Sequence, residues 1–378
     1  MGSSTLSVTG EPKWFSGYRQ KNKTGFESFS TAKKPYFFSP KKKWVDFSPG
    51  GSDARAPVEL EKKGVRVLSW EQAFNDKSLD VKSLLEKESP QAEFEWFVNA
   101  FFNAGFVLVI DNKTDVSAPL EWTFSGKKDV AYKVLIVVKE SVSGVAWIEH
   151  LKGNFEGGYF QSIVLEDNAN ASFVRLFDVN ADGFVSLQSF IGKDASLSPS
   201  NGFLNARELK CSVANHLTNS GGKVSQRDVC FGSGKAGFDV LFSNNHRVGN
   251  CFSRCVFKGV FLDASNAAFD GMIRIFPNAQ QSDALLECHG MLLSKSATAN
   301  MIPGLEILAD DVKATHSASV AHVDEDAIFY LESKGIPRQE CEKMIVSGFL
   351  ESVANELSPL LRERVLGLLE EKIAARLE

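Results

Sequence analysis

Residues 305–336 read LEILADDVKATHSASVAHVDEDAIFYLESKGI. Leu305, Ile307 and Leu308 open the stretch as an extended apolar run and give way to Asp310 and Asp311. A β-branched run with one histidine follows: Val312, Thr315, His316 and Val320. Asp324 then offers the short acceptor side chain that caps a helix N-terminus. Ala327, Ile328 and Leu331 recur at helical spacing until Gly335 stops them. The stretch predicts a hinge, with extended structure before it and helices after it.

Upstream of the hinge the period is that of strands. FVLVI (106–110), YKVLIVV (132–138), VAWIEHL (145–151), FQSIVL (160–165) and FVRLFDV (173–179) follow in quick succession. FDVLFS (238–243), VFKGVFL (256–262), MIRIF (272–276) and ALLECHGMLL (284–293) continue the series. Between them lie turn-formers such as Asp167-Asn168, Asn180-Ala181-Asp182-Gly183 and Ser220-Gly221-Gly222. No amphipathic helix long enough for a βαβ crossover interrupts the region, which excludes a doubly wound sheet. A faint repeat supports stacked coils: Ala171-Ser172-Phe173, Ala236-Gly237-Phe238 and Ala267-Ala268-Phe269 each follow a polar turn and open a strand. One coil cannot bury its inner face alone, so recurrence of turn, small residue and bulky residue favours a parallel β-helix. A β-sandwich would give the same alternation and stays open on the residues alone.

Before the strands, Trp14, Tyr18, Phe26 and Phe29 are spaced as one face of a short helix, followed by prolines, a Lys41-Lys42-Lys43 run, Trp44 and Phe47. The lysines read as solvated surface. Ser69 is placed to cap WEQAF, and Ser89-Pro90 to open a helix through Phe94, Phe97, Val98 and Phe101, with Gly105 as its stop. After the hinge, Pro337 is expected at a first helical position ahead of a stripe of Cys341, Met344, Ile345, Phe349 and Val353. Pro359 is expected to start a last helix with Leu361, Val365, Leu368, Leu369 and Ile373.

Composition narrows the function. A net charge of −5 gives no reason to expect nucleic-acid binding, and 30 Phe suit a stacked core. No apolar run reaches the roughly 18 residues of a membrane span. MGSSTLSVTGEPKW has no basic segment ahead of an apolar one, so no secretory signal is expected. Six cysteines in 378 residues are too few for a disulfide framework, and the CxxxC of Cys251 and Cys255 has no second pair at zinc-site spacing. The chain has no Walker A loop, no GxGxxG after a strand, no HExxH and no GxSxG. Nothing here would hydrolyse ATP unaided.

The ordered run LEI-ADDVK-TH followed by DEDAIFYL-S-GI resembles the C-terminal signature of the SufB/SufD family, which builds iron–sulfur clusters; within it the chain looks more like SufD. The resemblance implies a right-handed parallel β-helix core flanked by helical ends. It divides the chain into an N-terminal mostly helical region (1–105), the β-helix (106–322) and a C-terminal helical region (323–378). It implies a cytoplasmic, non-enzymatic scaffold that binds neither nucleotide, membrane nor nucleic acid. ATP would be handled by a separate ABC-type ATPase, SufC, docked on the C-terminal helices, with Asp324, Phe329, Tyr330, Pro337 and Arg338 as candidate docking residues. The β-helix would pair with SufB or with a second copy of itself.

In the family a cysteine and a histidine meet where two β-helices associate, and a transient iron–sulfur cluster forms there. Counting back from the signature leads to Cys288 and His289, and thiolate and imidazole are ligands that iron accepts. Neighbouring strand residues face opposite ways, so Cys288 groups with Ala284 and Leu286, and His289 with Glu287. The second face is the more polar, which sends His289 outward and Cys288 into the core. His316 is the third candidate metal residue, matching a histidine of the signature. SufB-like members follow that histidine with glutamate; Ser317 stands here and favours SufD. Asp310 and Asp311 are adjacent on an extended segment and cannot converge on one substrate. Two rival readings remain: a SufB-type subunit that itself carries the nascent cluster on Cys288, and a β-helix carbohydrate-active enzyme, which would need convergent carboxylates.

Overall fold

A computed structural model describes residues 11–29, 57–90, 93–125, 131–153, 157–179 and 182–355, with scattered positions up to 371. The lysine run, Trp44 and Phe47 lie outside these residues, as does most of the helix expected from Pro359. In chain order the first elements are α1 (Lys13–Phe29), β1 (Arg66–Leu68), α2 (Trp70–Asn75), α3 (Val81–Glu86) and α4 (Glu93–Phe101). Ser69 and Gln72 close a reciprocal capping box at α2: Gln72 N donates to Ser69 Oγ at 3.1 Å and Ser69 N to Gln72 Oε1 at 2.7 Å.

The chain then alternates between two sheets. One receives β2 (Ala104–Ile110), β4 (Ala131–Val138), β6 (Gly157–Leu165), β8 (Asp182–Ile191), β10 (Glu208–Leu217), β12 (Gly237–His246), β14 (Asn266–Ile275) and β16 (Thr298–Ile307). The other receives β3 (Leu120–Ser125), β5 (Val145–Gly153), β7 (Asn170–Val179), β9 (Ser196–Asn205), β11 (Lys223–Gly232), β13 (Phe252–Phe261), β15 (Asp283–Leu292) and β17 (Lys313–His322). Every ladder is parallel except β1 against β2. The result is a parallel β-solenoid of about seven turns with helices at both ends. The tail adds α5 (Glu325–Ser333) and α6 (Arg338–Ala354). Among the described residues no helix is long and apolar enough to cross a membrane.

Three apolar clusters follow from this geometry. The first fills the solenoid between the two sheets, from Phe106 and Trp147 through Phe203 and Phe238 to Phe269 and Leu286. The second lies between the helices and the outer face of the nine-stranded sheet, where Phe15, Trp70 and Phe97 cover Leu135 and Phe160. The third lies under α6, where Val346, Leu350 and Val353 cover Val229, Phe231 and Val260. Strand β4 is buried at all its positions, which is why AYKVLIVV reads as a nearly continuous apolar run.

The turn from the nine-stranded to the eight-stranded sheet has a recurring backbone device. Ser141, Asn168, Asp194, Gly221, Asn250 and Gln281 all take positive φ there, in successive coils. These corners also bond to one another: Ser141 N donates to Asp167 O, and Asn168 N to Lys193 O. Four of the six are Gly, Asn or Asp, which tolerate this conformation at least cost.

Three local expectations are corrected. Helix α4 ends at Phe101, and Gly105 lies inside β2 with φ of 140°; a Cβ there would collide with the Lys133 carbonyl of the neighbouring strand. The buried stripe of α6 is Cys341, Val346, Leu350, Val353 and Ala354, while Met344 is 51% exposed. Adjacent apolar pairs, Ile345-Val346 and Phe349-Leu350, make either phase readable from sequence. Pro337 is the N-cap of α6, one position ahead of its first turn.

Candidate functional site

The solenoid ends on an open coil. Strands β16 and β17 each pair on one side, with β14 and β15, so among the described residues their outer backbone groups meet no further strand. Exposure rises accordingly: Ile302 is 42%, Ile307 41% and Val320 41% exposed.

Register decides which side chains share a face there. Ala314, packed against the interior cluster, has the parity of His316, Ala318 and Val320. His316 is registered on Leu286, and Ala318 on Cys288. Leu286 and Cys288 are fully buried members of the interior cluster. Cys288 and His316 therefore lie on the same inner face, one coil apart and diagonal to each other, with His316 exposed because no further coil covers it. Cys288 donates its S–H to Ser317 O at 3.5 Å, and burial pushes its thiol pKa up to about 12. It is a neutral thiol in the free chain.

His289 lies on the outer face of the same strand. Its Nδ1 is 2.8 Å from Ser319 Oγ, and burial lowers its pKa, with Glu287 and Lys258 acting in opposite senses. Its neighbour in register, Lys258, reaches α6: Nζ donates to Phe349 O at 3.2 Å and Ser352 Oγ at 2.7 Å. His289 thus belongs to the face that receives the tail helices, and the solenoid wall separates it from Cys288 and His316. Asp310 and Asp311 are exposed in the turn between β16 and β17.

The tail residues divide into two kinds. Asp324 caps α5, accepting from Asp326 N and Ala327 N at 3.0 and 3.3 Å. Arg338 clasps Glu325 bidentately at 2.8 and 3.0 Å and reaches Glu342 at 3.1 Å, tying α5 to α6. Both are committed within the tail. Phe329 and Tyr330 on α5 are 72% and 61% exposed, with Lys334 Nζ 5.2 Å from the centre of the Tyr330 ring, and Met344 on α6 is 51% exposed.

A second constellation went unread in the sequence. A polar column runs inside the solenoid. Glu149 accepts from Tyr159 OH, Gln161 Nε2 and Arg175 Nε, the last at 2.9 Å. Arg175 continues to Gln161 Oε1 and to Asn201 Oδ1, and Asn201 donates to Asp228 at 2.8 and 3.0 Å. Gln226 joins Asp228 to Asn215, and Asn215 reaches Asn244. Burial raises the Asp228 carboxyl to about 6. The signal was available: Glu149 has the parity of Trp147 and Leu151, and Arg175 that of Phe173 and Phe177. Cys211, Cys230, Cys255 and Cys288 are buried free thiols in the same interior.

Fold and site together define a parallel β-solenoid with helical ends, whose last two coils place a buried thiol and an exposed imidazole on one inner face. The family model for the SufBD core domain of SUF-system FeS cluster assembly matches residues 123–349. The chain belongs to the SufB/SufD family and is most like SufD. The iron–sulfur cluster assembly protein SufD of Bacillus subtilis is 25% identical over 287 residues, covering 72% of this chain and 65% of that protein. SufD of Escherichia coli is 28% identical over 226 residues, covering 59% of this chain and 52% of that protein. A SufBD family protein of Mycobacterium tuberculosis is 27% identical over 289 residues, covering 72% of each. The chain thus spans about two thirds of the first of these relatives and about half of the second.

Proposed function

We propose that the chain is a SufD-like scaffold subunit of a SufBCD complex, assisting ATP-dependent assembly and transfer of iron–sulfur clusters. The observation that carries this reading is the open coil, where β16 and β17 present unpaired edges and His316 lies on the inner face one coil beyond the buried Cys288. Edge strands with exposed apolar neighbours favour pairing with another solenoid. The facing subunit is SufB, or a second copy of this chain. Among the described residues no three Cys, His, Asp or Glu side chains converge on one point. A cluster built at the open coil therefore draws further ligands from the facing subunit, as a transient cargo held between the two.

In this reading the chain is not an enzyme and binds no nucleotide; hydrolysis belongs to SufC, docked on the tail helices, where Phe329 and Tyr330 stand exposed. Residues 1–105, 106–322 and 323–378 then divide the labour between cap, β-helix and docking region. His289, on the far side of the solenoid wall, takes no part in ligation and supports the α6 face. The exposed His316 is the ligand within reach of the facing subunit.

The test is co-expression with SufB and SufC partners, followed by anaerobic reconstitution of the purified complex. His316→Ala is expected to leave the complex intact while lowering cluster absorbance, and His289→Ala to leave cluster yield near wild type. Wild-type yield in His316→Ala, or a stable cluster on the isolated chain that is lost in Cys288→Ala, would defeat the reading. The second result would favour a SufB-type role.

A further inference from the structure

The outer face of the nine-stranded sheet carries a register row that reads Phe190, His216, Asn245, Arg274, Glu306 from β8 to β16. The opposite parity, including Leu217, Phe242 and Ile273, fills the interior. A groove of about 500 Å3 opens on the outer face, lined among others by Ser243, Asn245, Arg247, Asp270, Arg274 and Phe276. That volume is in the range of small-molecule sites, roughly 300–1,000 Å3.

The charges along the groove are unevenly matched. Arg274 Nε is 2.9 Å from Glu306 Oε2. Arg247, exposed at the corner after β12, has its guanidinium 5.0 Å from the centre of the Phe276 ring and makes no ion pair among the described residues. Asp270, four residues before Arg274 on β14, also lines the groove, and the Arg274 charge acts on its carboxyl against the effect of burial. With Arg274 facing Glu306 and Asp270, Arg247 is the guanidinium of the groove left without an ion pair among the described residues. His216, the neighbour of Asn245 in the row, is 1% exposed and stacked on Phe190 at 4.9 Å, and neither ring nitrogen has a hydrogen-bond partner. A buried imidazole with both nitrogens idle is uncommon in a finished core and marks a place where a partner is missing. Burial, with Arg247 and Arg274 nearby, holds its pKa down to about 3, so it stands as a neutral N–H donor at pH 7.

We propose that the Arg247–Arg274 end of this groove binds the oxyanion of a small molecule, a phosphate or a carboxylate. Arg247 is the principal cation and Arg274 the second; the unpartnered His216 lies beneath, beside Asn245 in the row. The rest of the ligand lies along the groove toward Ser212 and Asp270, over Leu241 and Met272. An unpaired guanidinium stacked on an aromatic ring is pre-organised for a planar or tetrahedral oxyanion, since its free N–H edge points away from the ring face. The site lies on the other sheet from the one that receives α6, and outside the wall that encloses Cys288.

The experiment titrates the full chain with inorganic phosphate and, separately, with succinate, at constant ionic strength, by calorimetry and by thermal shift. Saturable binding is expected for one of the two. In Arg247→Ala its affinity should fall about tenfold or more, the loss of one charge-assisted hydrogen-bonding group. Arg247 is exposed, so this variant should melt as wild type does without anion, and Arg247→Lys should bind between the two. The anion whose binding is lost names the head group. Saturable binding of neither anion, or binding unchanged in both Arg247→Ala and Arg274→Met, overturns the proposal.

Discussion

Replacing Arg175 by methionine removes the cation from the buried column at nearly constant volume. Arg175 and Glu149 are both fully buried, 2.9 Å apart. Arg175 also holds Asn201 and Gln161. Taking one partner from a buried pair costs about 3–5 kcal/mol, because the other charge stays in a low-dielectric site. Glu149 would keep Tyr159 and Gln161 as donors, which places the expected cost of Arg175→Met near the lower end, ~3 kcal/mol. The double variant Arg175→Met/Glu149→Met removes both charges. It leaves Tyr159 OH, Gln161 and Asn201 short of partners at about 1 kcal/mol each, offset by added apolar burial. It should lie within ~2 kcal/mol of wild type and above the single variant, a coupling of 2 kcal/mol or more by order of magnitude. Guanidinium chloride unfolding, followed by the fluorescence of the six tryptophans, reads the loss, and Trp147, stacked on Phe173 at 4.7 Å, reports from this coil among them. With a slope of ~4 kcal/mol/M, the single variant should lose roughly 0.7 M in midpoint. Additive effects of the two single substitutions would refute the claim that the pair acts as a unit.

Other expectations rest on separate features. Asp228 has a folded pKa of about 6 against an ordinary 3.8, so its contribution is intact below pH ~4 and is lost as pH rises to ~6, about 3 kcal/mol in all. Asp228→Asn should flatten the dependence of the melting temperature on pH across that window; an unchanged profile would count against it. Gly105→Ala places a Cβ against the Lys133 carbonyl at φ of 140° and should cost on the order of 1–3 kcal/mol in chemical unfolding. Phe329→Glu, at a side chain 72% exposed, should leave the melting temperature within about 2 °C of wild type while abolishing co-purification with SufC. Retained SufC would remove this side chain from the docking surface.

The residues that announced the fold were those under a single demand. Strands such as AYKVLIVV and VAWIEHL carry apolar residues on both faces, and DEDAIFYL begins with a carboxylate that caps its helix. Between residues 180 and 236 the sequence offered turns but no legible strands, because β9, β10 and β11 place Asn201, Asn215, Gln226 and Asp228 on the inner parity, where apolar residues are expected. The repeat was faint because its length drifts. Registered partners are 26 residues apart at Asp182 and Glu208, 29 at Glu208 and Gly237, and 32 at Asn266 and Thr298. At the site, alternation was enough to separate Cys288 from His289. It could not assign His316 to the inner face, because that depends on which residue of β15 it registers against. His216 and Arg247 gave no signal, since their relation exists only across strands.

Whole coils are interchangeable units of length in this architecture. Each adds one inter-strand step, about 4.8 Å, to the distance between the helix-capped end and the open end, without altering the chemistry of either. Excising residues 182–207, one full period between registered partners, should shorten that span by a single step and leave both termini of the stack recognisable. The separation of the two ends is therefore set in discrete increments, as by a ruler, and a lineage could retune how far apart its two surfaces stand by gaining or losing a coil.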